Sequence, residues 1–161
     1  MILCKVDSVT FDEVSQMGIV IISDPKSNRV LPVWVGIFEA QAILFKLQNS
    51  YFPRPLTHDL LKICIEQLNG KVEYVLINKI EHNTYYAQLH ISQNDEKIVV
   101  DARPSDAIAL AVRVDVPVYV DEKIMETNGV DREEFLREQK EKLYRSFLES
   151  LDDEDMGKLK H

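Results

Sequence analysis

A chain of 161 residues, 45% of them apolar, is long enough for one complete hydrophobic core with a short appendage. It carries 27 acidic against 19 basic residues, a formal charge of -8, so its surface repels polyanions at long range. This argues against simple electrostatic coating of DNA, but not against an enzyme with a local basic patch or a bound cation.

Cys4 and Cys64 both lie in apolar stretches, which predicts buried free thiols and a reducing cytoplasmic setting. The first residues lack the long apolar run of a signal peptide and read as a strand. No stretch approaches the roughly 20 apolar residues of a membrane helix.

The apolar alternation predicts strands over about residues 2–10, 18–22 and 29–35, the last two joined by a turn at Asp24-Pro25-Lys26-Ser27-Asn28. Gly36 breaks the third strand, and a helix follows over 37–49. That helix is apolar on two sides, through Ile37, Ala40, Ile43, Leu44 and Leu47 and through Phe38, Ala42 and Phe45. Such a helix is central to a fold or half covered by a second subunit. Glu39 falls in its first turn, where negative charge is favoured.

Tyr51-Phe52-Pro53-Arg54-Pro55 reads as a rigid connector, because each proline also restricts the residue before it. A helix is expected from Thr57, as N-cap, to Asn69-Gly70, with Leu61, Cys64, Ile65 and Leu68 facing inward. Strands over 71–81 and 84–91 form a hairpin, and Gln93-Asn94-Asp95-Glu96 turns into a strand ending near Asp101. Pro104, Ser105 and Asp106 then open an alanine-rich helix to about 113. A short strand at 116–120 and a brief helix at 122–126 follow. Residues 131–151 read as a charged helix able to meet a protein partner, and 152–161 as a frayed tail. The expectation is one α+β domain over 1–130 with mixed and antiparallel sheets, followed by the appendage 131–161.

One device occurs twice. Arg54-Pro55-Leu56-Thr57-His58-Asp59 and Arg103-Pro104-Ser105-Asp106 each combine Arg-Pro, a hydroxyl residue near a helix start and an aspartate in the first turn. Helix capping explains the hydroxyls and the acids but not the arginines. An arginine fixed before a proline either braces an aspartate or holds a phosphate bidentately. The repetition predicts strand–Arg-Pro–helix junctions that share a groove.

Leu31-Pro32-Val33-Trp34-Val35-Gly36 followed by Glu39-Ala40, then the Arg54–Leu60 stretch, then Asp101-Ala102-Arg103-Pro104-Ser105-Asp106-Ala107 resemble the bifunctional nuclease domain family. The resemblance covers about residues 1–130. It implies an α+β fold with mixed sheets, homodimers, and the cleavage of DNA and RNA described for a plant member.

Phosphodiester hydrolysis needs an activated water and compensation for charge growing on the phosphoryl oxygens. The candidate catalytic residues are therefore His58, Asp59, Asp101, Asp106 and Glu39, with Arg54 and Arg103 for substrate phosphate. His58 is the candidate proton carrier, since imidazole changes charge near neutral pH. Asp101 and Asp106 are the candidate ligands of a magnesium or manganese ion. No zinc spacing or Gly-rich phosphate loop is present, which disfavours zinc and nucleotide cofactors. Trp34 reads as core or dimer interface, with base stacking as the alternative. The competing functional reading is a non-catalytic regulatory or interaction module in which the Arg-Pro-Asp junctions are braces.

Overall fold

The computed structural model describes residues 1–158, which divide into a unit Met1–Gly129 and a second beginning at Val130. In the first unit, β1 (Ile2–Asp12), β2 (Met17–Ser23) and β3 (Arg29–Val35) form an antiparallel meander. Helices α1 (Ile37–Leu47) and α2 (Thr57–Gln67) follow. A second meander comprises β4 (Gly70–Glu81), β5 (Thr84–Gln93) and β6 (Glu96–Ala102). Then come α3 (Pro104–Val114), β7 (Val118–Val120) and α4 (Glu122–Asn128).

The strands of this unit lie in the order β6-β5-β4-β7-β1-β2-β3. The short β7 pairs parallel with β4 and antiparallel with β1, so it joins the two meanders into one mixed sheet. Both turns of the second meander are two-residue hairpins. His82 and Asn83 have φ of 49° and 59°, and Asn94 and Asp95 have 48° and 66°. Left-handed residues at both central positions match the twist of the flanking strands, and asparagine and aspartate tolerate that region.

Helix α3 is the hub. Ala107, Ile108, Ala109, Leu110 and Ala111 are all at most 1% exposed, between α1 and α2 on one side and β4 and β5 on the other. Alanine on several faces lets these neighbours come close without a void. Gly18 does the same for α1, since a Cβ there would fall on that of Ala40. The close approach fixes the start of α1 over β2.

Three expectations change. The Arg103 junction does join a strand to a helix, but Arg54-Pro55 lies in the loop between α1 and α2, with no strand before it. Thr57 is the first helical residue, and Leu56 holds the N-cap position. The expected inward face of α2 is mostly outward: Leu61, Cys64 and Leu68 are exposed, whereas Ile65 packs on the core. The physical reason is that α2 is anchored at its first turn by polar groups, with His58 buried. Cys4 is buried as expected, and burial pushes its thiol up to about 12.

The second unit contains β8 (Val130–Asp131) and α5 (Arg132–Lys158). Asp131 Oδ1 accepts from the backbone N–H groups of Glu133 and Glu134, satisfying donors at the start of α5. The sequence reading ends this helix at 151, whereas α5 continues to Lys158, elongation costing little once a helix is nucleated. Residues 159–161 of the expected tail lie outside the described residues. None of the described helices is long and apolar enough to cross a membrane.

Candidate active site

Each of the three helices α1, α2 and α3 presents its first turn to a common groove of about 560 Å³. Pro55, Leu56, Thr57 and His58 line one side, Phe38, Glu39, Ala42 and Phe45 another, and Arg103 and Asp106 complete it. Much of the second apolar side of α1 is thus groove wall.

A continuous polar chain runs through this groove. Arg103 Nη1 donates to Glu39 Oε1 at 3.1 Å, and Nε donates to Asp106 Oδ2 at 2.7 Å. The other Asp106 oxygen, Oδ1, lies 3.0 Å from His58 Nε2. Gly36 leaves room for the Glu39 carboxylate, which a Cβ at that position would displace. The arginine side chain remains 64% exposed despite its two partners. It therefore has donors left for an incoming anion.

Burial alone would raise the Asp106 carboxyl, but hydrogen bonds and charge from Arg103 and His58 outweigh it and hold the group below its ordinary value. The Asp106 carboxylate in turn raises Arg103. An ionised carboxylate only accepts, so His58 Nε2 must carry the proton in this pair. His58 is 8% exposed and lines the groove, and Nδ1 has no protein partner among the described residues. The arrangement is an acid-oriented imidazole beside an accessible guanidinium.

The other sequence-predicted residues lie elsewhere. Asp59 Oδ1 accepts from Arg113 Nε at 2.9 Å, and its Oδ2 accepts from the Leu56 backbone N–H at 2.9 Å. Arg113, with a side chain only 4% exposed, also donates to the carbonyls of Ala109 and Ala42. These bonds tie α1, α2 and α3 together directly behind the groove. Arg54 is exposed in the connecting loop and forms no ion pair among the described residues. Asp101 is exposed on β6 opposite Gln88.

Both oxygens of Asp106 are engaged, one by His58 and one by Arg103. Among the described residues no group of three or more His, Cys, Asp or Glu side chains is disposed to hold a metal ion. Sequence reasoning missed Arg113. Its signal was a lone arginine in an alanine-rich helix, which needs an anion if that helix is buried.

The network predicts an acid limit to stability. Asp59 is also held low: burial would raise it, but the Leu56 N–H and Arg113 prevail. Since Asp59 and Asp106 have folded values below their unfolded ones, their contribution is complete above the ordinary aspartate value of about 4. It is lost as pH falls through the lowered folded values. Urea midpoints measured from neutral pH downward should fall below about pH 4, and Asp59→Asn should reduce that dependence. An unchanged dependence in the variant would contradict the assignment.

Comparison with known proteins places these features in a family. The model of the bifunctional nuclease domain matches residues 20–133. An uncharacterized protein of Mycobacterium tuberculosis is 33% identical over 159 residues, covering 94% of this chain and 95% of that protein. Bifunctional nuclease 1 of Oryza sativa subsp. japonica is 31% identical over 122 residues, 74% of this chain and 37% of the plant protein. Bifunctional nuclease 2 of Arabidopsis thaliana is 27% identical over 116 residues, 70% of this chain and 35% of its own length. With its match spanning all three helices that build the groove, the chain belongs to the bifunctional nuclease domain family.

Proposed function

We propose that this chain is a nuclease that hydrolyses phosphodiester bonds in DNA and RNA at the Glu39–Arg103–Asp106–His58 groove. The observation that carries the reading is the hydrogen-bonded His58–Asp106 pair beside an arginine whose side chain is 64% exposed. Arg103 binds a phosphoryl oxygen with its free N–H groups and offsets charge that builds in the transition state. His58 Nδ1 takes a proton from water as its oxygen bonds to phosphorus, the P–O bond to the sugar breaks, and the leaving oxygen takes a proton from solvent in the open groove, while Asp106 orients the imidazole. Glu39 holds the guanidinium in position. Asp59 acts as a brace through Arg113. Arg54 is available to a more distant phosphate. No step is assigned to a cation at Asp101 and Asp106.

The competing brace-only reading requires the arginines to be sealed in carboxylate pairs. The enzymatic reading asks that Arg54, Arg103 and His58 be open; the two arginines are, which supports it, and His58 is 8% exposed. In this reading the enzyme acts as a homodimer, for which exposed apolar side chains such as Tyr51, Leu60 and Leu68 are open to contact. Exposed Leu143, Tyr144 and Phe147 on α5 suit a protein partner.

Arg103→Lys tests the phosphate role, because lysine keeps the charge and loses the fork. Loss of one charge-assisted hydrogen bond should lower kcat/KM by about 10- to 100-fold. Stability should change by no more than about 1 kcal/mol, since the pairs that Arg103 makes are exposed. Unchanged kcat/KM on labelled DNA and RNA would overturn the assignment.

A further inference from the structure

A second hollow, of about 340 Å³, adjoins the groove and shares Arg103 with it. Its walls come from the end of β3, the β4–β5 turn and the start of α3. Strands β3 and β5 are far apart in the sheet order, so the sheet must coil to bring these ends together. Trp34 and Tyr85 are the aromatic walls, Asn83 and Thr84 form a polar rim, and Ser105 lies beside Arg103.

Core packing does not account for Trp34 or Ser105, whereas Tyr85 also packs against the core. Val33 and Val35 are 1% and 6% exposed, so strand alternation turns Trp34 away from the core, and it is 45% exposed. Ser105 is 6% exposed, and its hydroxyl forms no hydrogen bond among the described residues. An indole and a phenol ring beside unspent polar groups match the flat face and polar edge of a nucleobase. The shared arginine sets the hollow next to a phosphate held in the groove.

We propose that the Trp34–Tyr85 hollow stacks an unpaired nucleobase next to the phosphate held by Arg103, and so selects single-stranded nucleic acid. This rests on the nuclease reading and names its substrate class. A base paired in a duplex has no free face to offer the rings, whereas an unpaired base stacks on aromatic side chains whatever its sequence.

Trp34 is the single tryptophan of the chain, so its fluorescence reports the hollow directly. Binding is measured in the His58→Gln background, in which cleavage is slow enough for the bound strand to be observed. The probes are a labelled single-stranded DNA oligonucleotide, its duplex, and an abasic strand of equal length. The single strand should quench Trp34 and bind about 5- to 150-fold more tightly than the abasic strand. Trp34→Ala should abolish that difference, and Trp34→Phe, which keeps a ring and the fold, should retain part of it. Equal binding of the abasic and base-bearing strands without quenching would overturn the stacking proposal and leave the phosphate site standing. Tighter binding of the duplex would overturn it as well. If none of the three probes binds, and the wild-type protein cleaves none of them, both the hollow and the nuclease reading fall.

Discussion

Replacing His58 with glutamine is expected to lower kcat for phosphodiester cleavage by about 10²- to 10⁴-fold, the usual contribution of a positioned proton carrier. The glutamine amide can still donate to Asp106 Oδ1, so the half-buried carboxylate keeps its partner and stability should change by about 1 kcal/mol or less. What glutamine cannot do is exchange a proton with the attacking water. The variant should therefore lose kcat while KM and the unfolding midpoint change little. A structural role for His58 would not produce that combination. Equal activity in wild type and variant would remove His58 from the chemistry.

Arg113→Met should be the more damaging change to the fold. The methionine fills much of the arginine's volume, yet the carbonyl oxygens of Ala42 and Ala109 lose their donor. Asp59 loses its charged partner as well. Because Asp59 retains 40% exposure, water recovers part of its solvation, and the two carbonyls dominate the loss. An expected cost of about 2–4 kcal/mol follows from leaving such groups without partners. Urea unfolding of Arg113→Met and Arg103→Lys, measured side by side, should separate the brace from the exposed network. Similar midpoints for the two would contradict the division of roles between these arginines.

Most strands and helices were legible in the sequence because their signals are local. Pro104 at a helix start, Asn94-Asp95 between alternating runs and Gly36 after Val35 each carry their own stereochemistry. The convergence of Glu39 with Arg103 and Asp106 was only partly legible, since it depends on how α1 and α3 pack. The partners of Asp59 show the limit most clearly. An Arg-Pro-Asp repeat invites pairing between the repeats, yet Asp59 pairs with Arg113, a full helix away from Arg103. Helix α2 was misread for a related reason. Its apolar period says which residues share a face but not which face meets the core, and the buried polar groups at His58 and Asp59 decided that. Trp34 posed the same problem within a strand, where its exposed side became meaningful only once Tyr85 and Arg103 stood beside it.

The central claim is that the groove itself cuts nucleic acid. Its most direct test is the cleavage of end-labelled single-stranded DNA and RNA across the size-exclusion profiles of wild type and His58→Gln, purified identically. The account predicts cleavage that follows the wild-type protein peak and falls by at least about 10²-fold across the variant peak. Cleavage that elutes away from the protein, or that is equal in both profiles, would contradict it.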